Sequence, residues 1–419
     1  MANELTTPRL AWPAAFASAR VMVSSRPRVA WRTLFHALLV AISTLYAVAT
    51  VTRIYVRKYY VFLPGYLQWS LTPAPAVNDR PMHVFFLFTD HFEPDRSAAR
   101  VIRWAARYRA LASRHRDSSG RVPQHTFFYP AEQDEPAVLD ALRDMTAAGL
   151  GEVELHFHHD YDTVRMLREK LGASIQSLQR YGFLRTTGGQ TRFAFIHGNW
   201  GLDSSLGPVM CGVNAELRLL RELGCFADYT FPSVYEHSQP PSVNNIYAAK
   251  DDDSPKSYRQ VFPLSTIRDG SADLVIFQGP LVFAPSLNVS RLFLDLDDGN
   301  IHPPKPGSAA RVDRWMRANV HVPERPDWVF IKVFGHGIST TDDEEVVLGP
   351  TFDATLSALE QRYNDGRRYV LHYVTAREAY NLARAAADGV TGDPLQYMNY
   401  VVPPYVAAMR AGTAAIERD

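Results

Sequence analysis

Cysteine is scarce in this chain, which has only Cys211 and Cys225 among 419 residues. The two flank a helical pattern over residues 214–223, and a helix of that length holds its ends roughly 15 Å apart. A disulfide tolerates a Cα separation of no more than about 7 Å, so the spacing argues against a bridge. We therefore expect two buried free thiols that pack as small apolar side chains.

An excess of charge of either sign is also missing, because 44 Lys and Arg residues balance 44 Asp and Glu residues. A chain without net positive charge has no long-range attraction for nucleic acid, and we expect no nucleic-acid partner. The sequence also lacks a phosphate-binding glycine loop, zinc-finger spacing and the Gly-x-Ser-x-Gly turn of serine hydrolases. The sequence therefore disfavours a nucleotide-binding loop, a zinc finger and the catalytic site of a serine hydrolase.

A run without charge near the N-terminus indicates a membrane segment. Residues 34–51 read LFHALLVAISTLYAVATV, at the short end of the length that spans a bilayer. Five arginines precede the run and three basic residues follow it, which favours a cytoplasmic N-terminus. We predict a single-pass protein of the inner (cytoplasmic) membrane, with its larger part facing the periplasm or cell exterior. Residues 1–33 would be cytoplasmic, 34–52 the transmembrane helix and 53–80 a juxtamembrane stalk.

From residue 81 onward, short apolar runs alternate with helical patterns. The runs end in polar residues and cover residues 83–90, 125–132, 152–160, 192–200, 226–233, 273–280, 328–337 and 368–378. Strand alternating with helix predicts an α/β fold with a parallel sheet, and seven or eight such units predict a distorted (β/α) barrel. We assign this domain to residues 81–385, followed by a C-terminal helix and tail over residues 386–419.

The third run closes on a cluster of histidines, reading EVELHFHHD over residues 152–160. Residues two apart on a strand share a face, so His156 and His158 can converge on one point. Imidazole and carboxylate are the usual protein ligands of zinc and other divalent first-row metals. His159 and Asp160 complete the set of candidate metal ligands in this run.

Other strand ends add polar residues that one rim of a barrel would gather. They are Asp90, His91, Glu93, Glu132, His197, Asn199, Trp200, Asp228 and His336. Parallel barrels keep their chemistry at the carboxyl ends of their strands, so we expect a metal-dependent active site there. The alternative for His125, His197 and His372 is a hydrogen-bonded structural role.

Four motifs resemble those of the NodB-homology polysaccharide deacetylases, which are similar to the family-four carbohydrate esterases. The motifs are Phe88-Thr89-Asp90-His91, His156-x-His158-His159-Asp160, His197-Gly198-Asn199-Trp200 and His336-Gly337. The resemblance spans roughly residues 81–385. It implies a distorted (β/α) barrel in which a divalent metal ion, zinc above others, serves to remove N-acetyl groups from the amino sugars of a polysaccharide.

Residue by residue, the resemblance gives Asp90 the role of catalytic base and His91 that of a metal ligand. Glu93, or Asp90 itself, is an alternative ligand. His336 matches the late histidine that acts as general acid, donating to the leaving amine.

The second motif departs from the family pattern, which has two histidines four residues apart. Asp160 stands four residues after His156, so His158, His159 or Asp160 is left to complete the site. The arginine-proline motif of the fourth strand is likewise replaced by His197-Gly198-Asn199-Trp200. Candidate substrate-binding residues are His197, Asn199, Trp200, Asp228 and Tyr229, of which the two aromatics can stack on a sugar ring.

Two other functions fit parts of the sequence. A glycoside hydrolase needs two carboxylates flanking the cleft, and Asp90 with Glu132 is the candidate pair. A catalytically inactive membrane protein that binds glycan, or helps to assemble a biosynthetic complex, would explain the altered first and fourth motifs.

Overall fold

The structure is a computed structural model that describes residues 26–75, 80–184, 186–286 and 294–405. It divides the chain into two compact units, Met1–Thr52 and Arg53–Asp419. The start of the predicted cytoplasmic segment and the predicted C-terminal tail from residue 406 lie outside the described residues.

The described part of the first unit is a single apolar helix. Helix α1 is Arg26–Val56, and its last residues belong to the second unit. Within it, Trp31–Val56 is long and apolar enough to cross a membrane by length and composition. Its 26 residues extend for about 39 Å, which exceeds the roughly 30 Å hydrocarbon core of a bilayer. The helix is thus longer at both ends than the predicted span of residues 34–52.

The segment after this helix packs into the second unit instead of standing free as a stalk. It forms a 3₁₀ turn, Tyr59–Val61, and helix α2, Leu63–Leu71. Phe62 is fully buried, and its ring stacks on Phe283 with the centroids 6.3 Å apart. An apolar cluster joins Tyr59 and Phe62 to later parts of the same unit, namely Val234, Val243, Leu281 and Leu296.

Fifteen strands follow within the described residues, and eleven of them form one sheet. In chain order they are β1 Met82–His91, β2 His125–Pro130, β3 Gly151–Phe157, β4 Thr186–Thr187, β5 Gln190–Thr191, β6 Phe193–His197, β7 Cys225–Asp228, β8 Asn245–Ala249, β9 Leu274–Gln278, β10 Val282–Pro285, β11 Leu294–Asp297, β12 Asn300–Ile301, β13 His321–Val322, β14 Arg325–Gly335 and β15 Tyr369–Tyr373. Strands β4 and β5, and β10 and β11, form separate two-stranded sheets. Each of the eight apolar runs of the sequence contains a strand, and several runs continue past the end of that strand.

The remaining helices alternate with these strands. They are α3 Ala98–Ala112, α4 Pro136–Ala147, α5 Val164–Arg180, α6 Glu216–Leu223, α7 Ser265–Arg268, α8 Ala309–Ala318, α9 Thr341–Leu348, α10 Pro350–Tyr363 and α11 Ala376–Ala387. Several begin with the caps that their sequences predict. Thr163 accepts a hydrogen bond from the backbone N–H of Met166 at the start of α5, and Thr375 with Glu378 forms a capping box on α11.

The order of strands in the large sheet is β12-β14-β1-β2-β3-β6-β7-β9-β8, with β13 also on β14 and β15 also on β1. The pairs are parallel except β8 with β9 and β13 with β14. The α/β class and the mostly parallel sheet are therefore confirmed. The strand number is eleven instead of the expected seven or eight, because short strands such as β12 and β13 add to the sheet. Its hydrogen-bonded order ends at β12 and β8 among the described residues, so a closed barrel is not formed by these pairs.

Alternation along the strands divides the core into two faces. Phe85 and Leu87 of β1 pack with residues of α11, and we call this side the α11 face. Phe86 and Phe88 belong to the other cluster, which includes side chains of α3, α4, α5, α6 and α10, and we call that side the α3 face. Successive residues of a strand point to opposite faces, so the parity of a residue decides which layer its side chain enters.

Replacement of Phe62 by alanine tests the packing of the segment after α1. Removing a fully buried phenylalanine is expected to lower the free energy of unfolding by about 3–5 kcal/mol. Leu71→Ala is the matched control, because Leu71 ends the following helix and is 81% exposed; its effect should stay within about 0.5 kcal/mol. Thermal unfolding of the detergent-solubilised chain measures both, and equal effects would contradict the docked arrangement.

Candidate metal centres

Polar side chains from three strands converge on the α11 face at the carboxyl edge of the sheet. His91 ends β1 and has the parity of Phe85 and Leu87. His156 lies on β3, and His336 directly follows β14. The ring centroid of His91 is 4.7 Å from that of His156 and 4.6 Å from that of His336. The parallel pairing of β1 with β14 and β2 brings these strand ends together.

Glu93 is the carboxylate at the centre of this arrangement. Its Oε1 lies 2.8 Å from Nε2 of His156 and 3.4 Å from Nε2 of His158. Two sets of ligand atoms, each within 4.8 Å of one another, share it: His91, Glu93 and His336, and Glu93, His156 and His158. We call these five residues the open group, because the side chains of His158 and Glu93 are 37% and 24% exposed.

Within the open group, the pKa values of Glu93 and His158 are set by their neighbours in opposition to burial. Burial alone would raise the pKa of Glu93, but hydrogen bonds with His156 and His158 lower it overall. Burial alone would lower the pKa of His158, but hydrogen bonds with Glu132 and Glu93 outweigh it and raise the pKa to about 9. Nδ1 of His158 donates to Oε1 of Glu132 over 2.6 Å. Without a metal, His158 is therefore a cation between two carboxylates at neutral pH.

His91 and His156 are the neutral imidazoles of the open group. Burial, with the neighbouring His336 and His156, holds the pKa of His91 well below its usual value. Burial also lowers the pKa of His156, whose Nδ1 lies 3.2 Å from the carbonyl oxygen of Ile196. That contact leaves Nε2 as the nitrogen facing Glu93, and Nδ1 of His91 is buried without a hydrogen bond. Neutral rings with a nitrogen close to a carboxylate, or with a nitrogen that has no hydrogen bond, are suitable metal ligands.

Asp90, the residue matched to a catalytic base, lies on the opposite face from His91. Its Oδ2 is 2.9 Å from Nε2 of His125, and its Oδ1 accepts a hydrogen bond of 2.7 Å from the backbone N–H of Gly337. The indole of Trp104 donates to the carbonyl oxygen of Gly337 over 2.8 Å. Asp90 is thus a fully buried residue that fixes the turn carrying His336, and it belongs to none of the metal-competent sets in the described residues. His125 has the structural role considered for it.

A second set of potential ligands lies on the α3 face and is completely buried. It comprises His159, His197, Cys211 and Glu216, whose ligand atoms all lie within 4.8 Å of one another. We call it the buried group. It can hold a metal ion, and it joins the ends of β3 and β6 to the first turn of α6. Cys211 and Cys225 are both free and buried, as predicted.

The ionisation of the buried group follows from its isolation from water. Burial lowers the pKa of His197 to about 3, which keeps its ring neutral. Burial opposes ionisation of Glu216, but the neighbouring His197 and His159 outweigh it and lower the pKa of Glu216. Burial raises the pKa of the Cys211 thiol. Glu216 thus carries the negative charge of the group.

The structure distributes the remaining predicted site residues widely. Asp160 is exposed and outside all three metal-competent sets in the described residues. Asn199 donates from Nδ2 to the carbonyl oxygen of His159 over 2.8 Å, so it braces the buried group. Trp200 alone of the five predicted substrate-binding residues touches the open group, because its ring stacks on His91 at 4.9 Å.

Asp228 and Tyr229 lie in the interior of the second unit. Asp228 accepts hydrogen bonds from the hydroxyl and the backbone N–H of Thr230, and burial raises its pKa to about 7. The hydroxyl of Tyr229 donates to the carbonyl oxygen of Ala376 over 2.6 Å. Both residues are at most 1% exposed, so neither offers a surface to a sugar.

The cationic state of His158 predicts how the metal-free protein responds to pH. Because the folded pKa is raised from 6.5 to about 9, the ion pairs stabilise the fold fully below about pH 6.5 and are lost as the pH rises through about 9. The difference in unfolding free energy between the wild type and His158→Gln should therefore shrink over that range. Chemical denaturation of chelator-treated protein measures it, and a difference that grows with pH would contradict the ion pairs.

Gly198 tests the position of His158 without removing a ligand. A Cβ at Gly198 would lie 2.3 Å from Cδ2 of His158, so the ring would have to move. We expect Gly198→Ala to weaken metal binding by the open group roughly 10-fold to 100-fold, as supporting substitutions commonly do. Gly172→Ala is the control, because Gly172 lies within α5 with open space around it. Equal metal affinity of the two variants, measured by competition with a chelator, would contradict the geometry.

Comparisons with protein-family models, with curated proteins and with solved structures give no match. The geometry of the two groups and the motifs of the sequence are therefore the features that indicate a function. One group is open at the carboxyl edge of the sheet, and the other is closed off behind it.

Proposed function

We propose that this protein is a metal-dependent hydrolase that removes N-acetyl groups from the amino sugars of a bacterial surface or exported polysaccharide. The observation that carries the proposal is the open group, in which imidazoles and a carboxylate from separate strands converge and in which His158 and Glu93 reach the surface. The resemblance of four motifs to polysaccharide deacetylases supplies the substrate class. The eleven-stranded sheet is compatible with the distorted (β/α) barrel of that resemblance.

The ligand atoms of the open group suit a divalent first-row metal ion, and zinc is the ion that we propose. His91 contributes a buried nitrogen without a hydrogen bond, and His156 and His158 face one oxygen of Glu93. A bound ion of this kind lowers the pKa of water to about 7 and polarises a carbonyl group. We assign to Glu93 the metal-binding carboxylate of the site, since Asp90 is directed into the other face.

The other residues of the site have positioning and proton-transfer roles. Glu132 orients His158 through its Nδ1, as a carboxylate next to a metal-binding histidine commonly does. His336 lies beside His91, where it can donate a proton to the leaving amine. Trp200 presents a partly exposed ring next to the site, where it can stack on a sugar. Asp90 holds the turn that places His336.

The glycosidase alternative loses its carboxylate pair in this arrangement. Asp90 is buried and bonded to His125 and Gly337, while Glu132 is bonded to His158. General acid catalysis at a glycosidic bond needs both carboxylates facing the cleft. The hydrolysis of an amide at the open group is therefore favoured over cleavage of a sugar linkage.

Membrane attachment through Trp31–Val56 would keep the enzyme near a polysaccharide that is exported or displayed outside the cell.

The test is acetate release from N-acetylated glycans together with elemental analysis of the detergent-solubilised full chain. His156→Ala should remove the metal of the open group and abolish activity. His336→Ala should keep most of that metal and lower acetate release about 100-fold or more, the usual contribution of a general acid. Asp160→Ala, in the same motif but exposed, is the control and should change neither quantity.

Two outcomes would overturn this proposal. One is a folded wild type whose open group binds no metal, even after zinc is added. The other is a metal-loaded protein that releases no acetate from any N-acetylated glycan tested, which would favour the role of a glycan-binding or assembly protein.

A further inference from the structure

The buried group differs from the open group in every property that separates structural from catalytic metal sites. All four of its residues are at most 4% exposed. Structural zinc sites are closed by four protein ligands that include cysteine, whereas catalytic sites keep one position for water or substrate. His159, His197, Cys211 and Glu216 leave no such position. The arrangement therefore has the composition of a structural site, and the proposed hydrolysis makes no use of it.

The distances within the buried group suit a small tetrahedral ion. Oε1 of Glu216 lies 3.1 Å from Nε2 of His159 and 3.8 Å from Nε2 of His197. Oε2 of Glu216 lies 3.3 Å from Sγ of Cys211. Zinc bond lengths of about 2.0–2.3 Å place tetrahedral ligand atoms roughly 3.3–3.8 Å apart. The ligand atoms are already close to that separation.

Hydrogen bonding alone leaves this cluster incomplete. Nε2 of His197 is buried and has no hydrogen-bond partner, since 3.8 Å to Glu216 is too long for one. A buried polar atom without a partner costs about 1–3 kcal/mol. Nδ1 of the same ring accepts from the backbone N–H groups of Asn199 and Gly201, so Nε2 is the nitrogen that faces the other three residues. The neutral ring carries its proton there, and an ion has to displace that proton.

The surroundings of the other ligands match those of metal ligands. Oδ2 of Asp162 lies 3.4 Å from Nδ1 of His159 without forming a hydrogen bond to it, so a carboxylate stands beside the ring where one commonly orients a metal-binding imidazole. Sγ of Cys211 receives backbone N–H contacts from Ser204 at 3.3 Å and Val213 at 3.4 Å. Such donors stabilise a thiolate, the form in which cysteine binds a metal.

We propose that His159, His197, Cys211 and Glu216 bind one zinc ion as a structural site, separate from the open group. Binding releases two protons, the thiol proton of Cys211 and the Nε2 proton of His197, whose ring then binds as an imidazolate with Nδ1 still accepting from the two backbone N–H groups. The ion ties the ends of β3 and β6 to α6 and to the loop over residues 198–215. His159 also follows His158 directly in the chain. An ion that fixes His159 therefore also fixes the position of His158, a ligand in the open group.

Cobalt substitution tests the proposal, because a thiolate bound to Co²⁺ gives a sulfur-to-metal charge-transfer band in the near ultraviolet. The chain has only two cysteines, and Cys225 lies on β7 with its Sγ directed at the carbonyl oxygen of Ala227. In the full-length Cys225→Ala variant, Cys211 is therefore the only thiol. We expect this variant to develop the band in full with about one equivalent of Co²⁺ bound at the buried group, and zinc to abolish it.

A folded Cys225→Ala protein that takes up Co²⁺ without this band would overturn the proposal, and so would a band of equal intensity in Cys211→Ala. The first result does not depend on whether Cys211→Ala folds. His156→Ala separates the inference from the proposed function, because it lacks a ligand of the open group and should retain the band. In His156→Ala, loss of acetate release with the band intact is the expected result, because the buried group is separate from the open group.

Discussion

Alternation of side chains at the carboxyl edge of the parallel sheet is the constraint on which both candidate sites depend. His158 and His159 are neighbours in the chain, yet one enters the open group and the other the buried group. The same rule separates Asp90 from His91 at the end of β1. Because successive residues must point to opposite faces, a cluster that looks continuous in sequence becomes two sites in space. One reaches the surface through His158 and Glu93, and all residues of the other are buried.

The two sites share their supporting structure, which links the fold to the chemistry. Gly198 passes so close to His158 that a side chain there would meet its ring, while Asn199 binds the carbonyl oxygen of His159. The turn after β6 thus touches both groups. On the other side, Asp90 anchors Gly337 and with it the position of His336. Residues that bind no substrate therefore decide where His158 and His336 lie.

Much of the sheet could be predicted from the sequence, because its eight principal strands are dense apolar runs that end in polar residues. Strand β8, Asn245–Ala249, is not predicted because its apolar run covers only residues 246–249 and it joins the sheet as an antiparallel neighbour of β9. Glu216 was missed as a candidate ligand because it lies on a helix 57 residues after His159, and only tertiary packing brings them together. The direction of Asp90 was predictable in principle, since its parity is that of Phe88, a residue of the α3 face. The resemblance to a deacetylase motif assigned it a role without regard to that parity.

The central claim is that one edge of this sheet carries two separate metal sites, and anomalous X-ray diffraction from a zinc-loaded crystal tests it most directly. The account predicts two peaks at the zinc absorption edge. One should lie among His159, His197, Cys211 and Glu216, and the other beside Glu93, among the imidazoles of the open group. A single peak, or peaks only at surface residues, would contradict the division of the histidine cluster into an open and a closed metal site.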